Sequence, residues 1–372
     1  MTTVQDVKAW LGDGRWSNLF AILDDAAIAA VLGAGVSHKE HPLLHILRSA
    51  DPAGNRSHGH ADLVLMNTEW AIAAITHRGG NKLRDWLAKR VQFVCHKKDF
   101  AIVAAALGEI RAGGFLTDAR FDVEPVREGK AKTPEFKVTL SSGPLFVEVH
   151  TRNMHEKEAA ALREFHDAPF PQHRDVGGVK EHVVHPMGKP KPGETNAENV
   201  AQKFAGIKPR GEQVPKEYPA ILWLDLQDED AWTFGPCAAE PVWVDGRDGD
   251  FFTSGLWHAF YGVKGTPLFE AHAVARRPVD RPAFLPFHGT FAQHDAWSAV
   301  VLGMASATVV FENPTARHRL PPDFFGPATR LFRFDYGLSW LDWPPGTRPL
   351  ADRVQDTRAM LGALAQVVRY RW

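Results

Sequence analysis

Two carboxylates on either side of one short turn constrain this chain more than any other feature. Glu135 lies in Thr133-Pro134-Glu135-Phe136-Lys137-Val138, and Glu148 lies in Phe146-Val147-Glu148-Val149-His150-Thr151. Ser141-Ser142-Gly143-Pro144 stands between the two runs. β-Branched and aromatic residues around a Ser/Gly/Pro turn predict a β-hairpin. Side chains alternate across a strand, so Glu135, Lys137 and Thr139 share one face of the first strand. Phe146, Glu148 and His150 share one face of the second. A turn that pairs Leu140 with Leu145 places Glu135 opposite His150 and Lys137 opposite Glu148. A slip of one residue would destroy this arrangement. Adjacent acids in a sheet are costly unless a cation or a proton neutralises them.

The rest of the chain supplies helices on both sides of that hairpin. Helical spacing of Ala and Leu runs from Val7 to Leu11 and from Leu19 to Leu32, and two further helices are expected from Asp62 to Thr76 and from Asn81 to Val91. Asp99 is placed to cap a helix running to Ala112, with Gly113-Gly114 to end it. Its apolar residues fall in two stripes, so it should be buried nearly all round. Glu109 therefore stands out as an acid late in an apolar helix. Strands follow over Phe121 to Val126, Glu135 to Leu140 and Leu145 to His150. A polar stretch from Arg163 to Thr195 lacks periodicity and reads as a loop or lid. Asn196 to Phe204 reads as a helix and Ala220 to Leu226 as a buried strand. Ala299 to Phe311 fits either a helix plus a strand or two strands. Leu350 to Tyr370 reads as a closing helix.

This order predicts an α/β (α+β) fold with a central mixed sheet flanked by helices. Three regions are expected: an N-terminal helical region over 1–92, the core with its C-terminal elaboration over 93–345, and the closing helix over 346–372. The composition, 44% hydrophobic and 23% charged over 372 residues, is that of a folded chain. A formal net charge of −1 gives no global basic field. Two cysteines, Cys95 and Cys237, exclude a disulfide framework and a Cys-rich zinc site. Asp6 and Asp13 come early, and Asp24 and Asp25 interrupt the apolar run from Leu19 to Val36. The expectation is a cytoplasmic protein without a membrane partner.

The succession of a helix with Glu109, a strand, Pro134-Glu135 at a strand start and Glu148-Val149-His150 on the next strand resembles the restriction-endonuclease-like superfamily. The signature of that superfamily is written PD-(D/E)xK. The resemblance runs from about Asp99 to Leu226, with Asn196 to Phe204 and Ala220 to Leu226 as the following helix and strand. It implies a metal-dependent nuclease hydrolysing phosphodiester bonds in DNA or RNA. Glu109, Glu135 and Glu148 would hold Mg²⁺ or Mn²⁺, and His150, aided by Lys137, would orient or deprotonate water. Two departures are visible: Glu135 replaces the commoner Asp, and His150 replaces Lys. Lysine is a fixed cation near pH 7, whereas histidine is mostly neutral. The alternatives are therefore a catalytically impaired nuclease fold that binds nucleic acid or protein, and a histidine-based transition-metal protein. An ordinary surface hairpin with charges paired across its strands also fits the residues.

Other signals are weaker. Lys203, Lys208 and Arg210 are basic candidates for phosphate contact. Val31-Leu32-Gly33-Ala34-Gly35-Val36-Ser37 looks like a nucleotide loop, but it lacks the third glycine of the dinucleotide fingerprint. His41, His45, His58, His60, His166, His173, His182 and His185 are scattered, with no His-Glu-x-x-His pattern. The N-terminal helical region is a candidate surface for a homo-oligomer or a protein partner.

Overall fold

A computed structural model describes residues 17–32, 59–97, 99–126, 133–152, 194–207, 215–227, 239–244, 251–269, 283–337 and 345–371, with a few isolated positions between them. The chain begins with α1 (Ser17–Ile22) and α2 (Asp25–Leu32), followed by α3 (Gly59–Arg78), α4 (Asn81–Cys95) and α5 (Phe100–Asp118). Three strands come next: β1 (Asp122–Pro125), β2 (Phe136–Leu140) and β3 (Gly143–Thr151). Helix α6 (Asn196–Ala205) leads into β4 (Ala220–Asp225). Two short ribbons, β5 (Trp243–Val244) with β6 (Phe251–Phe252) and β7 (Pro267–Leu268) with β8 (Ala283–Phe284), bracket α7 (Gly255–Tyr261). After α8 (Thr290–Gln293) come β9 (Ala299–Gly303), β10 (Thr308–Glu312), α9 (Pro322–Ala328), β11 (Phe334–Tyr336) and α10 (Leu350–Arg371).

Seven strands form one mixed sheet in the order β1-β2-β3-β4-β9-β10-β11. Strands β1, β2 and β3 are antiparallel neighbours, whereas β3, β4 and β9 run parallel. The parallel strand β4 is buried at all six residues, which explains its unbroken apolar text. The ambiguous run from Ala299 to Phe311 is an antiparallel pair, with Val301 opposite Val310. The α+β expectation holds: helices flank a mixed sheet. One apolar core runs from Leu23 and Ala71 through Phe136 and Trp223 to Leu361, so the first helices and the closing helix pack on the core that fills the sheet.

Three details differ from the sequence reading. The run from Leu19 to Leu32 is two helices, because Asp24 turns its carboxylate onto the Ala27 N–H at 2.7 Å and caps the second. Gly113 and Gly114 do not end α5; they lie inside it. A Cβ on Gly114 would sit 2.3 Å from the Ala71 Cβ, and one on Gly113 would sit 2.9 Å from the Phe136 ring. These glycines serve the approach of α3 and β2 to α5. Asp99 does cap α5, accepting from the N–H groups of Ala101 and Ile102 at 2.9 and 3.3 Å. Burial of α5 is near-complete from Val103 to Thr117, but Ile102 is exposed.

The third difference is the hairpin register. Leu140 pairs with Gly143, not Leu145, and Phe136 pairs with Val147. Gly143 has φ +131°, a backbone shape that favours glycine, so the turn closes two residues sooner. A shift of two keeps every side chain on its expected face but changes its partner. Lys137 lies opposite Phe146 on one side and Glu124 on the other. One residue beyond the ladder, Glu135 falls opposite Glu148.

Candidate active site

The close approach of α5 to the sheet positions the acids. A Cβ on Gly108 would meet the Thr151 Oγ1 at 2.1 Å and the Asp225 Cβ at 3.1 Å, so α5 crosses the ends of β3 and β4 there. Only glycine allows that crossing, and it holds the neighbouring Glu109 near the hairpin. Glu148 is 4% exposed, on the second strand. Glu135 immediately precedes β2, where its Oε2 accepts the Val149 N–H at 2.6 Å. That N–H has no β2 partner, because β2 begins at Phe136.

The electrostatics follow from this crowding. Burial first, and then the charge of Glu148, pushes the Glu135 carboxyl up to about 8. The Val149 N–H opposes the rise and Glu109 adds to it. The His150 Nε2 lies 3.2 Å from the Glu148 Oε1. Glu148 Oε2 is buried and accepts no hydrogen bond from a described residue. With its proton on Nε2, facing the carboxylate, His150 keeps the Nδ1 lone pair for another donor.

The remaining expected residues are placed differently. Glu109 is paired with Arg90 of α4, and the two side chains are 13% and 22% exposed. It still acts on Glu135 through its charge. Lys137 makes no ion pair or hydrogen bond with a described residue, and the register moves it away from Glu148. Lys203 is exposed near the end of α6, whereas Lys208 and Arg210 lie outside the described residues. Also outside them are the backbone from Gly33 to Ser37, the helix expected from Val7 to Leu11, and His41, His45, His58, His166, His173, His182 and His185. His60 lies in the first turn of α3, and its side chain is not described.

Among the described residues, no three His, Cys, Asp or Glu side chains already form a cluster that would hold a metal ion. Two carboxylates do face each other, one bearing an unsatisfied buried oxygen, with an imidazole alongside. Oxygen-rich donors of this kind suit Mg²⁺ or Mn²⁺, and the orphaned Glu148 oxygen is the donor such an ion would satisfy.

The sequence reading missed a second polar group beside this site. Arg111 and Asp225 are both fully buried and form a two-pronged ion pair, with Nη2 to Oδ1 at 2.7 Å and Nε to Oδ2 at 3.0 Å. The Arg111 Nη1 also donates to the Thr68 Oγ1 at 3.2 Å, tying α3, α5 and β4 together. The signal was present: Arg111 interrupts the same apolar helix that made Glu109 conspicuous. No protein-family model, curated protein or solved structure matches the chain. No helix among the described residues is long and apolar enough to cross a membrane.

Proposed function

We propose that this chain is a divalent-metal-dependent nuclease of the restriction-endonuclease-like type, hydrolysing phosphodiester bonds in DNA or RNA. The observation that carries the reading is the opposition of half-buried Glu135 and buried Glu148, with one Glu148 oxygen unsatisfied among the described residues. A largely desolvated acid pair without a cation is a cost, and function is a reason to keep one. The element order α5-β1-β2-β3-α6-β4 also supports the reading, since Glu109 falls on the helix, Glu135 just before β2 and Glu148 on β3, the order in which that superfamily carries its acids. Glu135 and Glu148 would hold Mg²⁺ or Mn²⁺, with Glu109 behind them. When bound, the ion supplies a more acidic water and charge stabilisation at a phosphate. Glu148 holds His150 through Nε2, which leaves Nδ1 to accept a proton from water. The Val149 N–H fixes the Glu135 carboxylate.

One observation favours a second reading, a binding protein of the same fold with weakened catalysis: the Arg90 guanidinium already neutralises Glu109. Incubation of DNA and RNA panels with Mg²⁺ or Mn²⁺ tests the first reading. Cleavage by wild type, reduced at least a hundredfold in Glu148→Ala, is expected; equal residual activity in both refutes it. His150→Lys separates the two readings. Gained cleavage indicates a site weakened at that position, and binding without cleavage in both proteins supports the binding role.

A further inference from the structure

We propose that the exposed face of α4 is a track for single-stranded nucleic acid leading to the carboxylate pair. The inference rests on the nuclease reading for what the track feeds, but its own observations lie elsewhere. From Asn81 to Lys97 the chain carries Lys82, Arg84, Lys89, Arg90 and Lys97 against a single acid, Asp85. That is a concentrated positive stripe in a chain whose formal net charge is −1. Lys82 reaches Glu124 at 3.1 Å, and Arg84 is spent on the Gly79 carbonyl at 2.7 Å. Lys89 and Lys97 pair with no described carboxylate.

An aromatic ring sits within this stripe. Leu83, Leu87, Val91 and Val94 turn inward, whereas Phe93 is 37% exposed on the polar side. The Arg90 guanidinium carbon lies 5.3 Å from its ring centroid and the Lys97 ammonium 4.6 Å. Arg90 and Phe93 are i, i+3 neighbours on α4, and Lys97 follows the helix's C-cap, His96, so one ring and two cations form a short strip at the C-terminal end of the helix. An exposed ring between cations is the arrangement that holds an unpaired base by stacking and its flanking phosphates by charge. Lys97, on a flexible stem, exchanges the ring for a phosphate when a base takes its place.

The strip also has a direction. Arg90 pairs with Glu109, whose neighbour Gly108 packs against Thr151 at the end of β3, so one end of the strip lies toward the strand that carries Glu148. The Arg90 Nε is buried without a hydrogen-bond partner among the described residues. A duplex keeps its bases stacked inside, so the ring selects single strands, DNA or RNA.

The test is fluorescence anisotropy in EDTA, with a labelled 20-nucleotide single strand as DNA and as RNA, and the same DNA as a duplex. Wild type is expected to bind one or both single strands more tightly than the duplex. Phe93→Ala should weaken that binding roughly tenfold, and Phe93→Tyr should retain it. Lys89→Glu with Lys97→Glu should weaken it further and lower the slope of log K against log salt by about two. Unchanged thermal midpoints in these surface variants show that the fold is kept. Single strands bound equally by wild type and all variants, bound by none, or bound less well than duplex would overturn the track. Capture of anionic lipid vesicles with no affinity for single strands would overturn it too. Metal-dependent cleavage with no effect of the α4 variants on binding refutes the track alone. Phe93-dependent binding without cleavage refutes the nuclease reading alone.

Discussion

Replacing Glu135 by glutamine should make this protein more stable in mild alkali and change little in mild acid. The carboxyl of Glu135 is held near 8 against an ordinary 4.5. Between those values the folded chain keeps a proton that the unfolded chain has released. Stability is therefore fullest below pH 4.5, falls as pH rises through that window, and levels off above about 8. At about 1.36 kcal/mol per tenfold difference in proton affinity, the loss is at most about 5 kcal/mol. The substituted amide keeps the shape of the carboxyl and still offers an oxygen to the Val149 N–H. It cannot ionise, so this contribution to the slope should vanish. Urea unfolding from pH 4.5 to 9 measures it: the variant-minus-wild-type difference should grow by about 3–5 kcal/mol across the window. Mg²⁺ should recover much of the wild-type loss at pH 9 and do little for Glu135→Gln. Parallel stability profiles for the two proteins would refute the reasoning, since they would mean that Glu135 ionises as freely in the fold as out of it.

Three further outcomes test other parts of the fold. Burial, and then the charge of Arg358, pushes His258 of α7 down to about 3, and neither ring nitrogen has a hydrogen-bond partner among the described residues. Wild type should lose about 2 kcal/mol as pH falls from 6.5 to 4.5, and in His258→Leu that loss should disappear from urea titrations. Asp225→Ala leaves Arg111 charged and fully buried, so about 3–5 kcal/mol should be lost in the same assay. Gly114→Ala should destabilise by about 1–3 kcal/mol through contact with Ala71, whereas Gly362→Ala, which meets nothing within 4 Å, should stabilise by up to about 1 kcal/mol. The two thermal midpoints should move in opposite directions.

What was legible in the sequence was what periodicity encodes. Strands β2, β3 and β4, helix α6, the start of α5 and the closing helix fall within a few residues of their patterns, because burial on one face leaves a period in the text. Glu109, Glu135, Glu148 and His150 were legible as chemical exceptions to those patterns. Tertiary geometry was not. Gly113 and Gly114 look like a helix stop until α3 and β2 are packed against them, and nothing local says that Arg90 reaches Glu109 from another helix. Register escaped for the same reason, since alternation fixes a face and not a partner.

That two-residue shift changes what the hairpin means. In the expected register each acid would face a cation or an imidazole, and an ordinary charge-paired surface hairpin would account for every residue. In the observed register acid faces acid, Lys137 faces Phe146, and one oxygen of Glu148 is buried without a donor among the described residues. Such a pair is not satisfied from within the hairpin; it calls for a proton, which Glu135 holds near neutral pH, or for a cation from outside. Of the three acids near the crossing of α5, only Glu109 has a fixed cationic partner among the described residues, and that partner, Arg90, also begins the basic strip on α4. A divalent ion drawn to Glu109 would compete with Arg90, and a phosphate drawn to Arg90 would release Glu109. Metal binding at the acids and strand binding along α4 should therefore favour each other through this one ion pair.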